Sequence, residues 1–201
     1  MRVVWVRLAA SITLGLLVTA AAAADDLSSP VSFVPWKVLV PGDPPAAAPL
    51  TLFWVPASAD DFKHSEMLFS RQLTAYASQC VAMSVIRADD QSMIARLGVA
   101  GALPVAVLID ANGKRIGKVD NERGALRVTA VERLVREQLR VSATDIDALL
   151  EDARRKTEAG DTAAAVVTYK SVWGLRCLAP RKARTAQREL KKLGVEVAEA
   201  H

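Results

Sequence analysis

The chain has 201 residues, of which 51% are hydrophobic and 24% charged, which suits a globular protein of one domain, with or without a small appendage. Residues 1–24 hold two of the 26 basic residues and none of the 22 acidic ones, so the remainder has a net charge of +2. That charge is too small to indicate a nucleic-acid-binding protein.

The amino-terminal segment has the pattern of an export signal. Two arginines precede an apolar run over residues 8–24, small residues end it, and two aspartates follow. This pattern predicts a signal peptide over residues 1–24, cut after about Ala24, and therefore an exported protein, periplasmic or secreted. The alternative is an uncleaved membrane anchor, although the run is shorter than the ~20 residues that span a bilayer.

Strands and helices alternate through the next part of the chain. A Pro-rich loop over 41–49 precedes LTLFWV, a continuous apolar run that is typical of a strand buried on both faces. Hydrophobic spacing and composition predict strands over 36–40, 50–55 and 81–86, and helices over 59–77 and 89–97.

A hairpin and an amphipathic helix complete this region. After a loop over 98–104, a strand over 105–110 is followed by Asn112-Gly113, a strong hairpin turn signal, and by a returning strand over 114–119. Residues 128–139 have helical spacing. Buried strands separated by helices predict a parallel core, and the hairpin adds an antiparallel edge.

The composition changes after Ser142, and no further strand is predicted. Three helices are expected over 144–194: the first capped by Ser142 or Thr144, the second by Asp161, and the third opened by Pro180. Within them, EAGDTAAAVVTY resembles part of a tetratricopeptide-type hairpin, of which one copy is visible. Five apolar residues are expected to pack this extension against the preceding domain: Leu149, Leu150, Val166, Tyr169 and Trp173.

The last predicted helix is rich in positive charge. Residues 176–192 contain seven basic residues and one acid, Glu189. This concentration has two interpretations: a weak contact with an anionic surface, or a solvated helix face.

Residues 36–140 resemble the thioredoxin-like superfamily. The resemblance rests on LTLFWVPAS, a strand ending in Trp54 before a helix, on LGVAGALPVAVLIDANGKRIG over 97–117, and on the closing amphipathic helix. It implies an α/β, thioredoxin-like three-layer fold with a central mixed sheet, to which the helical extension is added. It also implies a cis peptide bond between Leu103 and Pro104.

The sequence departs from that family where its chemistry takes place. Counting on from Trp54, the active-site cysteines of the family fall at Ser58 and Asp61, and Leu52 stands where the family often has a buried acid. Disulfide exchange needs an attacking thiolate and a resolving thiol, which serine and aspartate cannot supply. Ser58 is instead expected to cap the helix, with Asp61 completing a capping-box-like arrangement, and His64 is too poorly placed to make Ser58 a nucleophile.

The two cysteines are the remaining candidates for redox chemistry. Cys80 and Cys177 are separated by 97 positions (177 − 80), so they form neither a CxxC motif nor a metal-ligand cluster. Export would favour a disulfide between them, and two buried, unpaired thiols are the alternative.

The leading interpretation is a redox-inactive exported protein that acts as a peptide- or protein-binding or scaffold module. The resemblance places a ligand groove beside the cis proline, formed by Phe53, Trp54, Pro56, Ser58, Asp61, Ala102, Leu103 and Pro104. The expected partner is a peptide or protein of the cell envelope; no cofactor, metal or nucleic acid is expected. Two alternatives remain: a divergent thiol-disulfide oxidoreductase using Cys80 or Cys177, and a protein whose helical hairpin is the working module.

Overall fold

A computed structural model describes residues 31–44, 46–99, 101 and 103–197. The predicted signal peptide over residues 1–24 lies outside these ranges, and so does Ala102 of the predicted groove. Within them, no helix combines the length and the apolar character needed to cross a membrane.

The fold is α/β and is built on a five-stranded mixed sheet with the order β1-β3-β2-β4-β5. Strands β1, β3 and β2 are parallel, β4 is antiparallel to β2, and β5 is antiparallel to β4. The strands are β1 (Lys37–Val38), β2 (Leu50–Val55), β3 (Val81–Val85), β4 (Val105–Asp110) and β5 (Arg115–Asp120).

The sheet is mixed, as expected, but strand β4 corrects the expectation that the buried strands separated by helices are all parallel. The helix between β3 and β4 has only seven residues, about 10 Å at 1.5 Å per residue, and the loop over 98–104 is long enough to return the chain over that distance. Strand β4 therefore begins at the end of the sheet where β3 finishes, and it runs in the opposite direction.

Six α-helices accompany the sheet within the described residues. They are α1 (Ala59–His64), α2 (Arg71–Ala77), α3 (Gln91–Leu97), α4 (Val128–Glu158), α5 (Thr162–Gly174) and α6 (Pro180–Lys192). The single helix predicted over 59–77 is divided into α1, a 3-10 turn over Glu66–Leu68, and α2. The division follows from two serines, because Ser65 and Ser70 each accept a backbone N–H and so start a new helical turn.

Helix α4 corrects a second expectation. The helices predicted over 128–139 and from 144 onward are one continuous helix of 31 residues. Thr144 does not cap a new helix: its hydroxyl donates to the carbonyl of Arg140, one turn earlier in the same helix, at 3.2 Å. A continuous helix therefore joins the sheet-containing part of the chain to the carboxyl-terminal helices.

Helices cover both faces of the sheet. Strand β2 alternates, so that Leu52 and Trp54 pack with residues of α1, α2 and α4, whereas Phe53 and Val55 pack with α3 on the opposite face. This two-sided burial explains why β2 is a continuous apolar run, as the sequence predicted.

The carboxyl-terminal helices have a core of their own, which corrects the expected packing of the extension. Leu150 and Tyr169 are buried in a cluster made by α4, α5 and α6, and Leu149, Val166 and Trp173 pack against that cluster rather than against the sheet. Leu178, in the loop between α5 and α6, packs against both this cluster and the sheet cluster. The extension therefore contacts the sheet through α4 and through this loop.

Candidate functional site

The strand-to-helix junction after β2 and the loop before β4 lie side by side. Val55 ends β2, Val105 begins β4, and the two residues are paired in the sheet. Residues 56–58 and Leu103–Pro104 therefore leave the sheet at the same end. The Leu103–Pro104 peptide bond is cis, as the resemblance implied.

The first turn of α1 is capped by the residues that were predicted to cap it. The backbone N–H of Asp61 donates to Ser58 Oγ at 3.1 Å, and Asp61 Oδ2 accepts from the backbone N–H of Ala57 at 2.8 Å. This arrangement is similar to a capping box, except that the carboxylate accepts from the N–H of Ala57, one residue before the cap, instead of from that of Ser58. Ser58 and Asp61 thus stabilise the helix start.

His64 is not placed to activate Ser58. Its Nδ1 lies 3.0 Å from the backbone carbonyl oxygen of Asp60 and 3.2 Å from Asp60 Oδ1, and both side chains are exposed. The Ser58 hydroxyl oxygen meanwhile faces the helix it caps. The junction therefore has no nucleophile–base pair made from Ser58 and His64.

Trp54 is a core residue rather than a surface residue. Its side chain is 0% exposed, and its ring contacts those of Trp36 and Phe62, with centroids 5.4 and 5.3 Å away. Among the described residues, its indole N–H has no hydrogen-bond partner. A ligand at this surface cannot touch Trp54 unless the core opens.

Several other residues of the predicted groove are also too buried to contact a ligand. Phe53, Pro56 and Pro104 are buried, whereas Leu103 is partly exposed. Ser58 and Asp61 are also partly exposed. The surface beside the cis proline is therefore formed by Leu103 and the start of α1.

Asn121 belongs to this site, and sequence reasoning missed it. Its Nδ2 donates to the carbonyl of Leu103 at 3.2 Å, and its Oδ1 accepts from the backbone N–H of Gly124 at 3.2 Å. Asp120, the preceding residue, pairs with Val105, so β5 brings Asn121 to the Leu103 loop. The sequence signal was only an amide residue just after a predicted strand, which is common in turns.

Replacing Asn121 with alanine is expected to lower the free energy of unfolding by about 1–2 kcal/mol, because one partly buried and one exposed hydrogen bond are lost. Urea denaturation of the full chain measures this change. The matched control is Asn112→Ala in the β4–β5 turn, where the backbone N–H, which alanine keeps, donates to Asp110 Oδ1. An Asn121→Ala variant as stable as wild type would contradict the role of Asn121 in holding the Leu103 loop.

The two cysteines lie at the opposite end of the sheet. Cys80 immediately precedes Val81, which pairs with Leu50 at the start of β2. The six residues of β2 separate this end from the junction by about 17 Å. Neither cysteine can therefore act at Ser58 and Asp61, where the resemblance would place the reactive thiols.

The Cys80 thiol is also a poor nucleophile. Burial, together with a hydrogen bond and charge interaction from the Cys177 thiol, raises the pKa of Cys80 to about 11, although Arg176 acts in the opposite direction. At neutral pH the thiol therefore remains protonated, and thiolate is the form that attacks disulfides. The same interactions mean that the structure places Cys80 and Cys177 next to each other.

Within the described ranges, no three His, Cys, Asp or Glu side chains come together in a way that could hold a metal ion. The chain matches no model of a known protein family, and no curated protein matches it.

Proposed function

We propose that the protein is a redox-inactive member of the thioredoxin-like superfamily that binds an extended peptide or protein segment beside Leu103. The support that carries this proposal is the pairing of β2 with β4, which brings the capped start of α1 and the Leu103–Pro104 loop to one end of the sheet. In that superfamily the groove beside the equivalent loop receives extended peptide.

The topology supports the same proposal. The strand order, with three parallel strands followed by an antiparallel pair, and helices on both faces agree with the architecture expected from the resemblance. Ser58 and Asp61 stand where the resemblance places the reactive thiols, and both are used in capping α1. Binding without disulfide exchange is the function that these residues allow.

The alternative, a divergent thiol oxidoreductase, has less support. Its nucleophile would be Cys80 or Cys177, at the end of the sheet far from the proposed groove. The raised pKa of Cys80 further disfavours attack by this thiol at neutral pH. An insulin-reduction assay on the full chain tests this alternative, and turnover that is lost in a Cys80→Ser, Cys177→Ser variant would favour it.

Leu103→Asp is expected to weaken peptide binding by about tenfold or more, because a charge replaces the apolar side chain at the centre of the proposed groove. The measurement is fluorescence anisotropy with a panel of labelled, unstructured peptides. The matched control is Val167→Asp, which places the same charge at a side chain that is 65% exposed on α5, far along the chain from the groove.

Thermal unfolding of both variants checks that the fold is retained. Equal binding by wild type and Leu103→Asp would overturn the proposed groove. Absence of binding to every peptide in the panel would overturn peptide recognition itself.

A further inference from the structure

The chain's two cysteines are brought together by the tertiary structure at a boundary between the sheet and the carboxyl-terminal helices. Cys80 lies between α2 and β3, and Cys177 lies in the loop between α5 and α6. The Cys177 thiol acts on the Cys80 thiol through a hydrogen bond and through charge. Both are free, partly buried thiols in this structure.

The residues next to the two cysteines also lie at the same end of the sheet. Leu178, adjacent to Cys177, packs against the sheet cluster that contains Val81, the residue adjacent to Cys80. The same loop lines a groove of about 500 Å³ with Leu50 and Asp110, which pair at this end of the sheet. Leu178 therefore lies across this groove from Leu50, the sheet partner of Val81, and a covalent bond here would connect the α5–α6 loop to the sheet.

The backbone at Cys80 is also unusual. Its φ is 60°, in the left-handed region where glycine is the ordinary occupant and an L-residue with a side chain is disfavoured. Position 80 therefore carries a side chain in spite of a backbone conformation that favours glycine.

We propose that Cys80 and Cys177 form a disulfide under oxidising conditions, and that this bond fastens the α5–α6 loop to the start of β3. A small-molecule disulfide, such as oxidised glutathione, is the oxidant. One protein thiolate attacks it, the glutathione S–S bond breaks, and a mixed disulfide forms as one glutathione thiolate leaves. The second protein thiol loses its proton and attacks the mixed disulfide, which releases the second glutathione. The two cysteines are oxidised by two electrons, and glutathione disulfide is reduced to two thiols.

The test oxidises the purified full chain with glutathione disulfide and then removes the excess. Thiol titration should fall from two thiols to none per chain, with a mass loss of two hydrogen atoms and a monomer on non-reducing electrophoresis. Oxidation should be faster at alkaline pH, because the high pKa of Cys80 keeps its thiol protonated at neutral pH.

The oxidised protein should unfold at a temperature about 10 °C or more above that of the reduced protein, because a crosslink over 97 positions restricts the unfolded chain strongly. In the Cys80→Ser and Cys177→Ser variants the reductant should leave the unfolding temperature unchanged. The proposal is overturned if oxidised wild type retains two thiols, forms only disulfide-linked dimers, or gains no thermal stability. This result is independent of peptide binding beside Leu103, so the two proposals can fail separately.

Discussion

Replacing Trp54 with alanine is expected to lower the free energy of unfolding by about 3–5 kcal/mol, the range typical of removing a fully buried large aromatic side chain. Trp54 is 0% exposed, and its ring packs edge-on with Trp36 and at a tilt with Phe62 in the core between the sheet and α1. Its removal leaves a cavity that the surrounding strands cannot fill. Urea denaturation of the full chain, followed by far-UV circular dichroism, measures the loss.

The matched control is Trp54→Phe, which keeps an aromatic ring in place and removes an indole N–H that has no partner among the described residues. Its cost should be roughly 1–2 kcal/mol, because the smaller cavity is partly offset by removing the unpaired donor. Trp54→Phe should also bind peptides as wild type does. Loss of peptide binding in a stably folded Trp54→Phe variant would show that Trp54 reaches the ligand and would contradict its role as a core residue.

Replacing Val141 with proline is expected to lower the free energy of unfolding by about 3 kcal/mol or more. Val141 lies near the middle of α4, and proline there removes a backbone hydrogen bond and places its ring against the carbonyl one turn earlier. The Val141 side chain is 47% exposed, so little packing is lost and the change reports on the backbone. The same urea denaturation measures it.

Val141→Ala is the matched control, and it should leave stability almost unchanged, since alanine is the better helix former and little buried surface is lost. The comparison between the proline and alanine variants distinguishes one continuous α4 from two separate helices. If the chain formed separate helices ending near residue 139 and starting near residue 144, proline at 141 would be tolerated. Equal stability of the proline and alanine variants would therefore contradict a continuous α4.

Features that depend on residues close together in the chain were predictable from the sequence. Ser58 and Asp61 are three positions apart, and their capping of α1 was predictable because the helix start and its cap are one local unit. The turn at Asn112-Gly113 was predictable for the same reason: Gly113 has φ +78° and the flanking strands pair antiparallel. The apolar run of β2 likewise predicted a strand buried on both faces.

Features that depend on residues distant in the chain became visible only in the folded structure. Composition changes near Ser142, yet α4 continues through it, because its two ends are supported by different packing partners on the sheet and in the carboxyl-terminal cluster. The resemblance placed Trp54 in the groove, but its side chain is buried against Trp36 and Phe62. Asn121 reaches Leu103 only because β5 pairs with β4.

The cysteines are the clearest case. Their separation of 97 positions left pairing undecided, and the packing of the α5–α6 loop against the sheet is what brings Cys177 to Cys80. Local sequence patterns predict helices, turns and strand burial because these features depend mainly on residues that are neighbours in the chain. A contact between distant residues, such as that of Cys177 with Cys80, forms only when all the buried surfaces pack together. No short window of the sequence contains that information.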